Sequence, residues 1–160
     1  MDATAKQTVL RHFPYGLYVV TVAAGGEEHG MTANWVTQAA FEPPMIAVAV
    51  ENTSKTIGMI RDAHAFGVSL LAAGQRELAG KLARASGQAP NKLKGIRTKP
   101  APISKTPVLV DALGWLECRA VASLPAGDHT LVLGEVLEAG VESPDAEALT
   151  LRAAGLEYSG

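Results

Sequence analysis

The chain has 160 residues and a mass of 16.6 kDa, the size of one compact domain. Hydrophobic residues make up 48% and charged residues only 19%, enough apolar material to bury a core. Fourteen basic and sixteen acidic side chains leave a net charge of −2, which argues against a general nucleic-acid or anionic-membrane binder.

The first dozen residues read as a short helix with Val9 and Leu10 on its apolar side, stopped by Pro14. Gly16–Ala23 is rich in β-branched and aromatic residues and reads as a strand, with Gly25-Gly26 turning it into a hairpin. His29–Phe41 continues in extended form until Pro43-Pro44, and Met45–Val50 reads as a buried strand. Thr53–Asp62 has Ile57 and Ile60 on one face of a helix, with Ser and Thr at its start. Ala65–Leu71 is a further strand. Gln75–Ser86 reads as a helix, with Leu78 and Leu82 four apart and Glu77 placed to pair with Lys81. Residues 87–107 carry four prolines and two glycines, the composition of a long loop. The rest is mostly strand: Val108–Val110, Trp115–Ser123, His129–Val141 and a short segment near Tyr158, with a tight turn at 126–128. Many strands with two or three short helices predict a mainly β barrel or sandwich, and closure into a barrel removes exposed edges. With no repeat or linker, residues 1–160 are expected to form a single domain.

Several chemistries are missing. No Gly-x-Gly-x-x-Gly follows a strand, and there is no phosphate-binding lysine loop or Gly-x-Ser-x-Gly elbow. His12, His29, His64 and His129 lack metal-ligand spacing, so no metal site is expected. Cys118 is the only cysteine, which excludes intramolecular disulfides and predicts a reducing cytoplasm. No apolar run approaches the roughly 18–20 residues that span a bilayer, and no secretory signal opens the chain, so no membrane role is expected. An enzyme with this inventory needs an organic cofactor to carry its reaction.

Four features are candidates for binding one. Between Leu78 and Val110 lie seven basic residues and no acidic one, leaving −9 on the remainder, a field suited to a phosphorylated small molecule. A solvated surface loop gives the same pattern. Glu51-Asn52-Thr53-Ser54-Lys55-Thr56, between a strand and a helix, offers free N–H groups, hydroxyls and a lysine as a phosphate seat. Ordinary N-capping by Thr53 or Ser54 accounts for the same spacing. Met31-Thr32-Ala33-Asn34-Trp35 is a small, polar, extended segment able to lie along a planar ring, although Trp35 equally fills a core or an interface. In Gly127-Asp128-His129, a histidine opening a strand presents one nitrogen to a ligand, or is simply a hydrogen-bonded turn residue. Phosphate seat, ring platform and basic flap together describe a nucleotide-like ligand. A non-catalytic barrel binding a polyanion through 81–105 is the rival of another class, and the acidic remainder argues against it.

The chain resembles the FMN-binding split-barrel flavin reductases. The resemblance rests on His29-Gly30-Met31-Thr32-Ala33-Asn34, Phe41-Glu42-Pro43-Pro44, Ala126-Gly127-Asp128-His129-Thr130 and Leu133-Gly134-Glu135-Val136, in family order over nearly the whole chain. It implies a six-stranded, Greek-key split β-barrel that forms a homodimer with flavin near the interface. It implies FMN rather than FAD as cofactor, held at the ring by Thr32, Ala33, Asn34, Trp35, Gln38 and Ala39. Asn52, Thr53, Ser54, Lys55 and Thr56 are the expected phosphate ligands, with Lys92 reaching the flavin. Asn91 stands where the family often has Asp, and Trp35 is bulkier than its counterpart in many relatives. His129 is the candidate catalytic residue, steering the donor, and His129 and Tyr158 are expected to meet the nicotinamide. The implied activity is reduction of bound flavin by NADH or NADPH, with electrons passed to free flavin, oxygen, or a protein such as a monooxygenase. A flavoredoxin-like electron carrier reduced by a protein partner is the alternative.

Overall fold

In a computed structural model describing residues 1–85, 87 and 92–158, α1 (Ala3–Arg11) is capped by Asp2, whose carboxylate accepts from Ala5 N–H at 3.0 Å. None of its residues is buried: of the predicted apolar side, Val9 lies 60% exposed and Leu10 is only half-buried. β1 (Tyr18–Ala24) and β2 (Glu27–Ala33) form the expected hairpin, with Gly25 and Gly26 both at positive φ. β3 (Val36–Ala40), β4 (Met45–Glu51), α2 (Lys55–Ala63), β5 (Ala65–Leu70) and α3 (Arg76–Ala83) follow. Next come β6 (Thr98–Pro100), β7 (Pro107–Leu109), β8 (Gly114–Ala126) and β9 (His129–Val141).

Seven strands pair antiparallel in the order β2-β1-β5-β8-β9-β4-β3. The two edges, β2 and β3, are consecutive pieces of chain separated only by Asn34 and Trp35. The sheet must therefore curl until its edges meet at those residues, which makes it a split barrel. The β8–β9 hairpin inserts between β4 and β5, giving the Greek-key order. The extended run read over His29–Phe41 is thus two strands, and the implied six-stranded barrel has seven. The break at Asn34 is bridged where Ala49 N–H donates to Trp35 O at 3.0 Å.

Inside the barrel, Val20, Val48, Val50, Phe66, Val68 and Val132 pack together, and Ile57, Met59 and Ile60 of α2 cap one end. The fully buried Phe66 ring lies over Gly134, where any Cβ would collide with it. Burying such a side chain contributes about 1.5–3 kcal/mol. A second cluster joins Leu17 and Val19 to Leu82 of α3, Leu109 and Leu149.

Two sequence expectations are corrected here. The segment near Tyr158 is not strand: the pairing ends in isolated bridges at Ala148 and Thr150, and residues 151–155 turn. Leu151 and Leu156 pack against the second cluster and hold the segment over the barrel. The 87–107 stretch is not all loop, since β6 pairs with β7. Its tip is pinned by Glu117, a buried carboxylate that accepts from Ile103 N–H at 3.1 Å and from Ser104 N–H. Burial alone would raise the Glu117 pKa, but these hydrogen bonds outweigh it and hold the group below its ordinary value. Ser86 and Asn91 lie outside the described residues. Among the described residues, no helix is long and apolar enough to cross a membrane.

Candidate functional site

A cleft of about 630 Å3 opens between the barrel seam, the start of α2, the end of α3 and the C-terminal segment. It gathers Thr32, Ala33, Asn34, Trp35, Thr53, Ser54, Lys55, Thr56, Lys92, His129 and Tyr158. The sequence had scattered these over 127 positions, and antiparallel pairing of β4 with β9 brings the second and last groups side by side, with Glu51 opposite His129.

The seam forms one wall. Thr32 donates its hydroxyl proton to Ala79 O at 2.6 Å, so that side chain anchors α3 to β2. Asn34 is buried, and its Nδ2 has no hydrogen-bond partner. An amide left dry and unpaired costs about 1–3 kcal/mol, which a fold tolerates where a ligand supplies the acceptor.

The start of α2 forms another wall. Ser54 occupies the N-cap position with extended backbone (φ −74°, ψ 146°), yet its side chain caps nothing. Its Oγ and the Oγ of Thr56 are both buried without partners, and no acidic residue sits in the first turn. Ordinary capping is therefore not what Ser54 does. Two orphan hydroxyls and the free N–H groups of the helix start make a seat for an anion. Thr53 is turned back, donating to Glu51 Oε1 at 2.9 Å. Lys55 is paired with Glu27 at the rim, and that hydrogen bond holds the Glu27 carboxyl below its ordinary pKa.

Three predicted ligands stand outside the cleft lining. Asn52 faces the β8–β9 turn, donating from Nδ2 to Gly127 O at 3.0 Å and accepting from Thr130 Oγ at 2.7 Å. It positions His129 rather than lining the cleft. Gln38 and Ala39 are exposed on β3; Gln38 lines a separate, largely apolar cavity of about 500 Å3 at the open barrel end.

Lys92 is buried and donates to Leu82 O at 3.0 Å, and burial pulls its pKa down. Beside it in the lining is His29, which was not among the expected flavin ligands. In a strand, positions 29, 31 and 33 share one face, and all three line the cleft. Burial drives His29 down to about 4, and the Lys92 and Lys55 charges push the same way. The unfolded chain therefore takes up this proton first as pH falls. Stability from neutral His29 is complete above about 6.5 and is lost as pH drops toward 4. His29→Gln is expected to flatten the fall of Tm over that window; parallel Tm–pH curves for variant and parent would contradict it.

Aromatic rings close the cleft. His129 Nδ1 pairs with Asp128 Oδ1 at 2.7 Å and Nε2 lies 3.2 Å from Tyr158 OH. The Trp35 ring centroid is 4.8 Å from that of His129 and 5.3 Å from that of Tyr158. The hydrogen bond from His129 lowers the Asp128 pKa, while burial first, then Glu51 and Asp128, raise that of Tyr158. Among the described residues, no group of acidic, His or Cys side chains is placed to hold a metal.

Comparison with known proteins shows the family. An NADH-dependent flavin reductase from a Rhodococcus species is 35% identical over 79% of this chain and 70% of its own. The reductase component of 4-hydroxyphenylacetate 3-monooxygenase from Thermus thermophilus is 34% identical, covering 88% of this chain and 87% of its own. The NADH:FAD oxidoreductase of Streptomyces globisporus C-1027, solved with NAD and FAD fragments, superposes with a TM-score of 0.86 at 28% identity, over 99% and 93% of the two chains. The family model described as the flavin reductase like domain matches residues 10–158, and by that match the chain belongs to the flavin reductase-like family.

Proposed function

We propose that the protein is a NAD(P)H-dependent flavin reductase that holds FMN in the seam cleft. The observation that carries this reading is the set of three buried, unpartnered polar atoms on residues that line one cleft: Asn34 Nδ2, Ser54 Oγ and Thr56 Oγ. Their chemistry fits the group. Two hydroxyls and the α2 N–H groups donate to a terminal phosphate, and the Asn34 amide donates to a ring-edge heteroatom. Ala33 and Trp35 give the ring a small-residue shelf and an aromatic wall. Glu51 in the lining disfavours a second phosphate, which supports FMN over FAD.

Bound FMN supplies the hydride acceptor and the onward electron donor. The chain supplies the surroundings. Lys92 sets a cation in a dry wall, where it stabilises negative charge more than it would in water. Asp128 and the Asn52-braced turn fix the His129 ring, whose Nε2 steers an incoming nicotinamide amide, with Tyr158 moving aside. The acceptor is free flavin or a partner protein such as a monooxygenase component, as one relative's name suggests. A homodimer fits the apolar surface left open, where Phe41 is 87% and Leu124 of the β8–β9 arm 63% exposed. A cytoplasmic setting fits a cysteine kept as a thiol: burial, then Glu117, push Cys118 up to about 12.

One observation favours an electron carrier as second reading. Trp35, His129 and Tyr158 contact one another, so that His129 Nε2, the atom proposed to meet a nicotinamide, is already engaged by Tyr158. Anaerobic stopped-flow mixing separates the two. NADH or NADPH is expected to bleach the flavin absorption within the turnover time; bleaching only by a reduced protein partner would assign the carrier role.

A further inference from the structure

The cleft wall holds a second buried basic side chain beside Lys92. His29 is 2% exposed and lies in β2, where Glu27, His29, Met31 and Ala33 share one face. Both ends of that face are fixed. Glu27 holds Lys55, the first residue of α2, and Ala33 lines the cleft beside Asn34 at the seam. Residues two apart in a strand stand about 7 Å from each other. His29 therefore lies one step along from the Glu27–Lys55 contact, between the start of α2 and the seam. Ser54 and Thr56 flank Lys55 in sequence, so their orphan hydroxyls and His29 border the same part of the cleft.

Among the described residues, the charges that bear on His29 come from three elements. Lys92 after α3 and Lys55 at the start of α2 repel a proton on the ring, and Glu27 on its own strand attracts one. β1, which pairs with it, offers only Thr21, Val22 and Ala23 at that register. Glu51, Arg84, His129, Glu157 and Tyr158 are the other titratable groups of the lining. Burial first, then the two lysines, keep the imidazole neutral at pH 7 in the ligand-free chain. A phosphate dianion held by Ser54 and Thr56 offsets both lysines and leaves burial as the main influence against protonation. We infer, on the FMN reading of this seat, that His29 takes up a proton from solvent when a phosphate monoester dianion binds there, so that the grip on FMN depends on pH. The sign follows from linkage: a base whose pKa rises on binding makes affinity fall as pH climbs through the raised value.

Nitrogen-15 NMR of the imidazole rings tests this without turnover. His29→Gln removes one of the four histidine signals and so assigns it; should that variant not fold, His12→Gln, His64→Gln and His129→Gln assign it by exclusion. Binding of FMN is expected to raise the His29 midpoint by about two pH units, and binding of riboflavin to leave it in place. The second ionisation of the phosphate itself falls at about pH 6, in the same window. FMN titrations of parent and His29→Gln at pH 5 and pH 7 separate the two. The ratio of affinity at pH 5 to that at pH 7 is expected to be about tenfold larger in the parent, a difference that a purely structural histidine does not produce. An unmoved midpoint, an equal rise with riboflavin, or the same ratio in both proteins overturns the proton linkage while FMN keeps its seat. Failure of the parent to bind FMN at either pH overturns the FMN reading and the linkage with it.

Discussion

Ser54→Ala combined with Thr56→Val is expected to weaken FMN binding about 100-fold while leaving riboflavin binding within about twofold. Hydrogen bonds to a charged partner are worth about 1.5–3 kcal/mol each, so losing two costs at least two decades of affinity. Riboflavin has no phosphate and does not sense the seat. The effect on stability has the opposite sign. Both hydroxyls are buried without partners in the ligand-free chain, so removing them stabilises it by about 1 kcal/mol apiece. A higher Tm without ligand and a weaker grip on FMN are expected together. Lys55→Ala costs less, because Glu27 already holds that ammonium at the rim. Equal losses for FMN and riboflavin would move the phosphate elsewhere.

His129→Ala is expected to slow flavin reduction by NADH up to about 100-fold, mostly as a raised donor KM, with FMN affinity little changed. His129 is held from three sides: by Asp128 at Nδ1, Tyr158 at Nε2 and the tilted Trp35 ring 4.8 Å away. Tyr158→Phe removes a single long hydrogen bond and keeps the ring, so it should alter the rate by only a few-fold. Loss of FMN instead of donor affinity in His129→Ala would make the histidine a cofactor ligand.

Much of this site was legible in local chemistry. The proposed seat at Ser54 and Thr56 follows from hydroxyls between a buried strand and an amphipathic helix, because strand-to-helix junctions expose N–H groups whatever the fold. What remained unread depended on pairing across the chain. Asn52 looked like a ligand by adjacency, but a hydrogen bond to Gly127, 75 residues away, turns it aside. Gln38 and Ala39 fall outside the cleft lining because the extended run breaks at Asn34 and, as β3, pairs with β4 along the other side of the seam. Whether Ser54 capped its helix or waited for a ligand was also invisible, since composition is identical in both cases and only the unpartnered Oγ tells them apart. His29 carries no local signal of its own, because its place in the cleft depends on β2 lying at the seam beside Lys92 and α2.

The most direct test is titration of the purified, flavin-stripped chain with FMN, read by quenching of flavin fluorescence. Saturation at one FMN per chain, abolished at the same concentrations by Ser54→Ala with Thr56→Val, is the predicted result. Undiminished fluorescence through a molar excess of protein would contradict a flavin site at the barrel seam.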